Sequence, residues 1–168
     1  MGKRGQLTTI DFIGSVAIFI IILIGIIGYW NTADLRFNAN REQEELASKA
    51  IKITDVFVES QGTPTNWNET NVEVIGLVSS DRKLDSTKLT SFKNMTYDEV
   101  RNTLKIKSYD FYFKIVDING ATIIVDGRTM ETGAIPNIEK KAITKIRRIA
   151  LWGSQKVTLE FSMWKSEI

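Results

Sequence analysis

Two Asn-x-Thr triplets, Asn68-Glu69-Thr70 and Asn94-Met95-Thr96, and a lone carboxylate, Asp11, at the mouth of an apolar run are the side chains whose types and spacing could carry chemistry. Each triplet has the pattern of an N-glycosylation acceptor, with a residue other than Pro in the middle. The alternative for both is a polar turn. Asp117-Ile118-Asn119-Gly120 has the look of a cation loop but lacks the further acids an EF-hand needs, and reads better as a hairpin. Lys140-Lys141 and Arg147-Arg148, with Trp152 nearby, could touch nucleic acid or an anionic surface. A strand edge protected by charge explains them more simply. Glu44-Glu45 falls on a polar helix face and suggests no chemistry.

The 168 residues include no His and no Cys. That removes imidazole acid–base catalysis, Ser–His–Asp triads, thiol nucleophiles, disulfides and the common zinc sites. No constellation of carboxylate, Lys or Tyr takes their place, and no Gly-rich phosphate loop is present. The expectation is therefore no enzyme, no catalytic residue, no metal and no cofactor. Lys plus Arg number 22 against 20 Asp plus Glu, a net charge of +2. That balance is too even for a nucleic-acid binder.

The elements around Asp11 decide its meaning. Phe12 to Ala33 contains no charged residue, and Phe12 to Trp30 is a nearly unbroken apolar run of 19 residues. As a helix that run spans roughly 28 Å, close to the hydrocarbon thickness of a bilayer. Tyr29 and Trp30 close it where an interfacial aromatic belt would sit. Lys3 and Arg4 precede it and a mixed-charge segment follows, so the positive-inside bias keeps the N-terminus cytoplasmic and the remainder outside. A cleaved secretory signal would have a shorter apolar stretch and small residues at its end, whereas this one ends Gly-Tyr-Trp-Asn. A plain transmembrane anchor remains as a second reading.

A third reading starts from Lys3-Arg4-Gly5-Gln6, a cationic head before the apolar run, with Asp11 just inside. This arrangement resembles the class III leader of type IV pilin-like proteins, especially archaeal ones. The resemblance implies cleavage on the cytoplasmic side between Gly5 and Gln6, so that the apolar segment stays in the mature chain. Asp11 would then be the sixth mature residue, whereas the family usually carries its acid at the fifth, which is Ile10 here. The resemblance also implies a partner for Asp11, the freed N-terminal amine of a neighbouring subunit. Read from the residues alone, Asp11 is an acid favoured by a helix N-terminus, with Thr8 or Thr9 capping. Both roles can hold at once.

Beyond Trp30 the helical pattern continues. Leu46, Ala50, Ile53 and Phe57 recur at spacings of four, three and four, so one helix is predicted from about residue 8 to about residue 59, with a bend near Asn38–Asn40. Gly62 and Pro64 end it, and the Gly-x-Pro-x-x-Trp segment through Trp67 again resembles archaeal pilin-like proteins. The rest alternates as strands do. Predicted strands are Val72–Val78, Tyr109–Val116, a return through Ala121–Val125 after Asn119-Gly120, Ile143–Trp152, and Val157–Trp164 after Gly153-Ser154, with a short helix over Tyr97–Leu104. The expected class is α+β: a long N-terminal helix, hydrophobic in its first half and amphipathic in its second, packed on a C-terminal antiparallel sheet. The expected organisation is a leader over 1–5, the helix over 6–60 with its membrane or filament-core segment at 12–33, and an extracellular head over 61–168.

The resemblance implies a structural subunit of a type IV pilus-like filament serving adhesion or motility. Its partners would be further copies in a helical filament, a prepilin peptidase, the assembly machinery and, before assembly, the cell membrane. The alternatives are a single-pass surface receptor or binding protein, and a minor tip pilin.

Overall fold

The structure is a computed structural model. It describes the backbone of residues 3–136 and 142–166 and, along the first helix, the side chains from residue 11 onward apart from 34–36 and 38–40. The first helix, α1, runs Lys3–Glu59 without interruption, through Asn38–Asn40 and five residues earlier than the apolar pattern implied. The chain divides into two units, Met1–Glu42 and Gln43–Ile168, so the amphipathic end of α1 belongs to the second unit.

In that second unit the elements after α1 are β1 (Val78–Ser80), β2 (Lys83–Leu84), α2 (Ser86–Asn94), α3 (Tyr97–Thr103), β3 (Tyr109–Val116), β4 (Ile124–Val125), β5 (Arg128–Thr129), β6 (Glu131–Gly133), β7 (Ile143–Trp152) and β8 (Gln155–Lys165). The class is α+β. Six strands form one sheet in the order β1-β2-β7-β8-β3-β6, and β4 and β5 form a separate pair. The sheet is antiparallel throughout its long strands but mixed at one end, where β2 meets β7 in parallel at Lys83 and Leu151. In the hairpin of β7 and β8, Ile143 lies opposite Trp164 and Trp152 opposite Gln155.

That register puts Phe111, Phe113 and Ile115 of β3 beside Met163, Phe161 and Leu159 of β8. These six side chains are fully buried, and so are Ala50 and Phe57 of α1. The Phe57 ring meets those of Phe92, Phe113 and Phe161 edge-on, with centroids 5.7, 5.7 and 5.9 Å away. Edge-to-face contacts of this kind add to the area burial of each ring. Leu46 and Val58 join the same core, Ile53 packs against it, and Ile51 is exposed. Thr54, fully buried between them, donates its hydroxyl to the Ile51 carbonyl at 2.9 Å and so brings no unmet polar group inside.

Two expected strands are corrected. Residues 72–77 are not a strand: they contribute a single bridge, Val74 to Thr63, and regular pairing begins only at Val78. Glu73 and Val74 N–H donate instead to the Thr63 carbonyl, and Leu77 N–H donates to the Phe57 carbonyl at the end of α1, at 3.1 Å. The return after Asn119-Gly120 is also shorter than expected. It bridges Val116 at Thr122, and then Ile124–Val125 pair with β5 while β6 takes the place beside β3. Of β7's two faces, Ile143, Lys145, Arg147 and Ile149 are exposed, and only the alternate residues are covered. Helix α2 was not expected. Asp85 caps it by accepting from Lys88 N–H at 3.1 Å, and it buries Leu89 and Phe92.

Candidate functional site

In the first unit, Asp11–Ala33 is long and apolar enough to cross a membrane, about 35 Å at the helical rise, and none of it is buried. Phe12, Phe19, Ile21, Ile24, Tyr29 and Trp30 are each more than 60% exposed. Water would not tolerate so continuous an apolar surface, so this segment requires lipid or protein around it. Ser15 and Thr32 return their hydroxyls to the carbonyls of Asp11 and Gly28, at 2.8 and 2.5 Å, so their polar groups are satisfied within the helix. A Cβ added at Gly14, Gly25 or Gly28 would meet nothing, which leaves three places where another helix could approach closely.

Lys3, Arg4, Gly5 and Gln6 lie in the first turns of α1, and Asp11 follows on the same helix. Asp11 is exposed. The side chains of Lys3, Arg4, Gly5 and Gln6 lie outside those described, and so do Lys140 and Lys141.

In the second unit, Gln61-Gly62-Thr63-Pro64-Thr65-Asn66-Trp67 forms a tight knot at the end of α1. Trp67 is 2% exposed, and its Nε1 donates to the Gly76 carbonyl at 2.9 Å. Gly62 sits at φ +82°, with its missing Cβ 2.6 Å from the Trp67 ring. Gly76 has no room either: a Cβ there would collide with Ser60 O and Gly62 N. Lys88 Nζ fastens the knot from α2, donating to the carbonyls of Gln61 at 2.7 Å and Val78 at 2.9 Å. Burial pushes the Lys88 amine below its usual value, partly opposed by Asp85.

The two triplets are placed very differently. Asn68, Glu69 and Thr70 follow the Trp67 anchor on an exposed turn. Asn68 Oδ1 accepts from Thr70 N–H at 2.9 Å and from Thr70 Oγ1 at 2.7 Å, and Asn68 N–H donates to Asn71 Oδ1 at 2.7 Å. Asn94 ends α2, and its Oδ1 accepts from Arg128 at 3.3 Å. Met95 is buried, and Thr96 is the N-cap of α3 in a capping box with Glu99. The Thr96 N–H and hydroxyl, donated to Glu99, hold that carboxyl below its usual range.

Several of the charged groups singled out in the sequence do structural work. The Asp117 carboxylate accepts from Asn119 and Ala121 N–H at 2.8 and 2.9 Å, so it closes the turn. Arg148 pairs with Asp55 of α1 at 2.7 Å. Arg147 and Lys145 converge on Glu160 at 2.8 and 2.7 Å, with Lys114 at 3.5 Å. Glu45 pairs with Lys49 at 2.8 Å. Among the described residues no group of three or more acids could hold a metal ion. A cleft of about 140 Å³ between α2 and β5, lined by Lys93, Asn94, Asp126 and Arg128, is small for a ligand pocket.

Residues 2–164 match a family described as a family of unknown function, DUF7287. The chain belongs to that family. No curated protein and no solved structure matches the chain. DUF7287 membership thus takes in both units, the uncovered apolar helix and the head, and its description names no activity.

Proposed function

We propose that this chain is a structural subunit of an extracellular, type IV pilus-like filament. The observation that carries the proposal is one uninterrupted helix, Lys3–Glu59, whose membrane-length apolar segment is uncovered and whose last part is built into the core of a folded head. Such a helix enters the membrane as a precursor, N-terminus inside. It leaves the membrane only if the lipid around Phe12–Trp30 is exchanged for copies of itself. The exchange replaces one apolar surround by another, so the gain per contact is modest and the filament is held collectively.

The leader residues support this reading. Cleavage between Gly5 and Gln6 removes the two cations Lys3 and Arg4 and leaves a new amine near Asp11. A carboxylate at a membrane-buried helix end is costly without a partner. The head then stands on the outer surface, where adhesion or motility is its service.

The test is the N-terminus of the protein taken from cell surfaces. Mass spectrometry finding Gln6, or its cyclised form, as the first residue supports the proposal, and an intact Met1 on surface filaments defeats it. Gly5→Val should block cleavage by crowding the scissile bond. A second reading, a single-pass surface receptor or binding protein, is favoured by the same uncovered helix if it stays in lipid. It predicts membrane-bound, uncleaved monomers and no filaments.

A further inference from the structure

We propose that Asn68, and not Asn94, is the N-glycosylation site of the folded protein. The inference goes beyond the filament reading and rests on it in one respect, that the head faces outward. The two triplets have the same sequence pattern, and the tertiary structure separates them. A glycosyl transferase must seat all three residues of the triplet, reaching the Asn amide nitrogen and the Thr hydroxyl together.

At Asn68 everything needed is at the surface. Asn68, Glu69, Thr70 and Asn71 are all exposed. Among the described residues, the side-chain bonds that shape the turn run between Asn68, Thr70 and Asn71, so an enzyme can reshape it without disturbing the rest of the head. The Thr70 hydroxyl already lies 2.7 Å from the Asn68 amide oxygen, so the two groups to be recognised are adjacent before binding. Trp67, fixed by its bond to Gly76, keeps this turn displayed.

Asn94 and Thr96 are exposed as well, but the triplet between them is held in place. The middle residue, Met95, is 5% exposed and part of the core. The Thr96 hydroxyl is committed to Glu99, from which it is 2.8 Å away, and it caps α3. The Asn94 amide oxygen is engaged by Arg128 from a distant strand. Presenting this triplet means unfolding the junction of α2 and α3, which draws Met95 out of the core.

In the reaction, Asn68 Nδ2 forms a bond to the anomeric carbon of a sugar carried as a phosphate ester of a lipid. The carbon–oxygen bond to that phosphate breaks, the phosphate leaves with the electron pair, and Nδ2 loses one proton to the transferase's base. No oxidant or reductant is needed.

The experiment uses the full-length protein in detergent with a membrane oligosaccharyl transferase and a lipid-linked donor that together modify free peptides covering residues 64–72 and 90–98. Peptide mapping by mass spectrometry should then find one glycan on the folded protein, at Asn68. Asn68→Gln and Thr70→Ala should abolish it, Thr70→Ser should retain it, and Asn94→Gln should change nothing. Equal modification of Asn94, or an unmodified Asn68 in a chain whose free 64–72 peptide is modified, overturns the proposal. The assay does not depend on export. A chain modified in vitro but bare when isolated from a glycosylating cell would instead argue against the outward-facing head.

Discussion

The ring of Phe57, near the end of α1, stands perpendicular to that of Phe113 on β3, with centroids 5.7 Å apart. Through this contact the helix is part of the head's core as well as the carrier of the apolar segment. A chain beginning at Asp34 should therefore be soluble, monomeric and folded, yet unable to polymerise. One beginning at Gln61 should unfold or aggregate, because a sheet face loses its cover. Phe57→Ala in the Asp34 chain should cost about 3–5 kcal/mol. Urea melts followed by circular dichroism decide it: a Gln61 chain that melts as cooperatively as the Asp34 chain would reduce the helix to a stalk.

Assembly should depend on Asp11. Asp11→Ala should leave the head folded and lower the yield of filaments, and Asp11→Lys should lower it further by placing two cations where a pair is needed. Filament yield by electron microscopy, with the melt of the head as control, gives the answer. Normal filaments from Asp11→Ala would assign Asp11 to the helix N-terminus alone.

Glu160 should make the head acid-labile. Burial on its own would raise its pKa, but the hydrogen bond and charge of Lys145, the charge of Lys114 and the hydrogen bond of Arg147 outweigh it and hold the carboxyl below 4.5. The folded state thus binds its proton less readily than the unfolded chain. The resulting stability is present above about pH 4.5 and is lost as pH falls through the lower, folded-state pKa. Glu160→Gln should cost about 1–3 kcal/mol at pH 7 and flatten this acid limb. An unchanged acid limb in urea melts from pH 7 to pH 3 would count against the cluster.

The alkaline limb belongs to two tyrosines. Burial first, and then a hydrogen bond to Asp110, pushes Tyr97 up to about 12. Burial and a hydrogen bond to Glu131 do the same to Tyr112. The unfolded phenols ionise near 10.0, so between pH 10 and pH 12 the folded state keeps protons that the unfolded state has released. Stability falls with rising pH across that window. Tyr97→Phe and Tyr112→Phe should each remove one late-titrating phenol from the ultraviolet titration of the folded head. Tyrosinate absorbance from these residues already complete at pH 10.5 would contradict their placement.

Gly76 should be irreplaceable, because a Cβ there meets the Ser60 carbonyl and the Gly62 nitrogen. Gly76→Ala should destabilise the head by about 1–3 kcal/mol or more, since backbone atoms cannot swing aside as a side chain can. Gly120→Ala is the comparison. Gly120 has open space around it but φ +84°, so it should show only the smaller cost of a left-handed backbone. Thermal melts showing the two variants equally stable would mean the knot around Trp67 is looser than drawn.

Much of this was legible from residues in order. Phe12–Trp30 carries its apolar character on nearly every residue, and the alternation of β3, β7 and β8 is a period-two signal that needs no neighbour to read. The stripe Leu46, Ala50, Ile53 and Phe57 is equally local. Helix α2 was not legible, because its apolar signal is only Leu89 and Phe92 among Ser, Thr and Lys. Residues 72–77 misled because their β-branched side chains look like a strand while their backbone bonds go to Thr63 and, at Leu77, to the end of α1.

The sequence by itself determined the membrane-length apolar helix, the α+β class and the two Asn-x-Thr triplets, since periodicity and motif spacing are properties of neighbours along the chain. Only the tertiary structure decided that Trp67 closes a knot with Gly62 and Gly76, that Glu160 collects Lys145, Arg147 and Lys114, and that the triplet of Asn68 is wholly exposed while Met95 of the second triplet is buried. Those facts depend on which distant segments meet, and burial and hydrogen-bond partners exist only once the chain has folded.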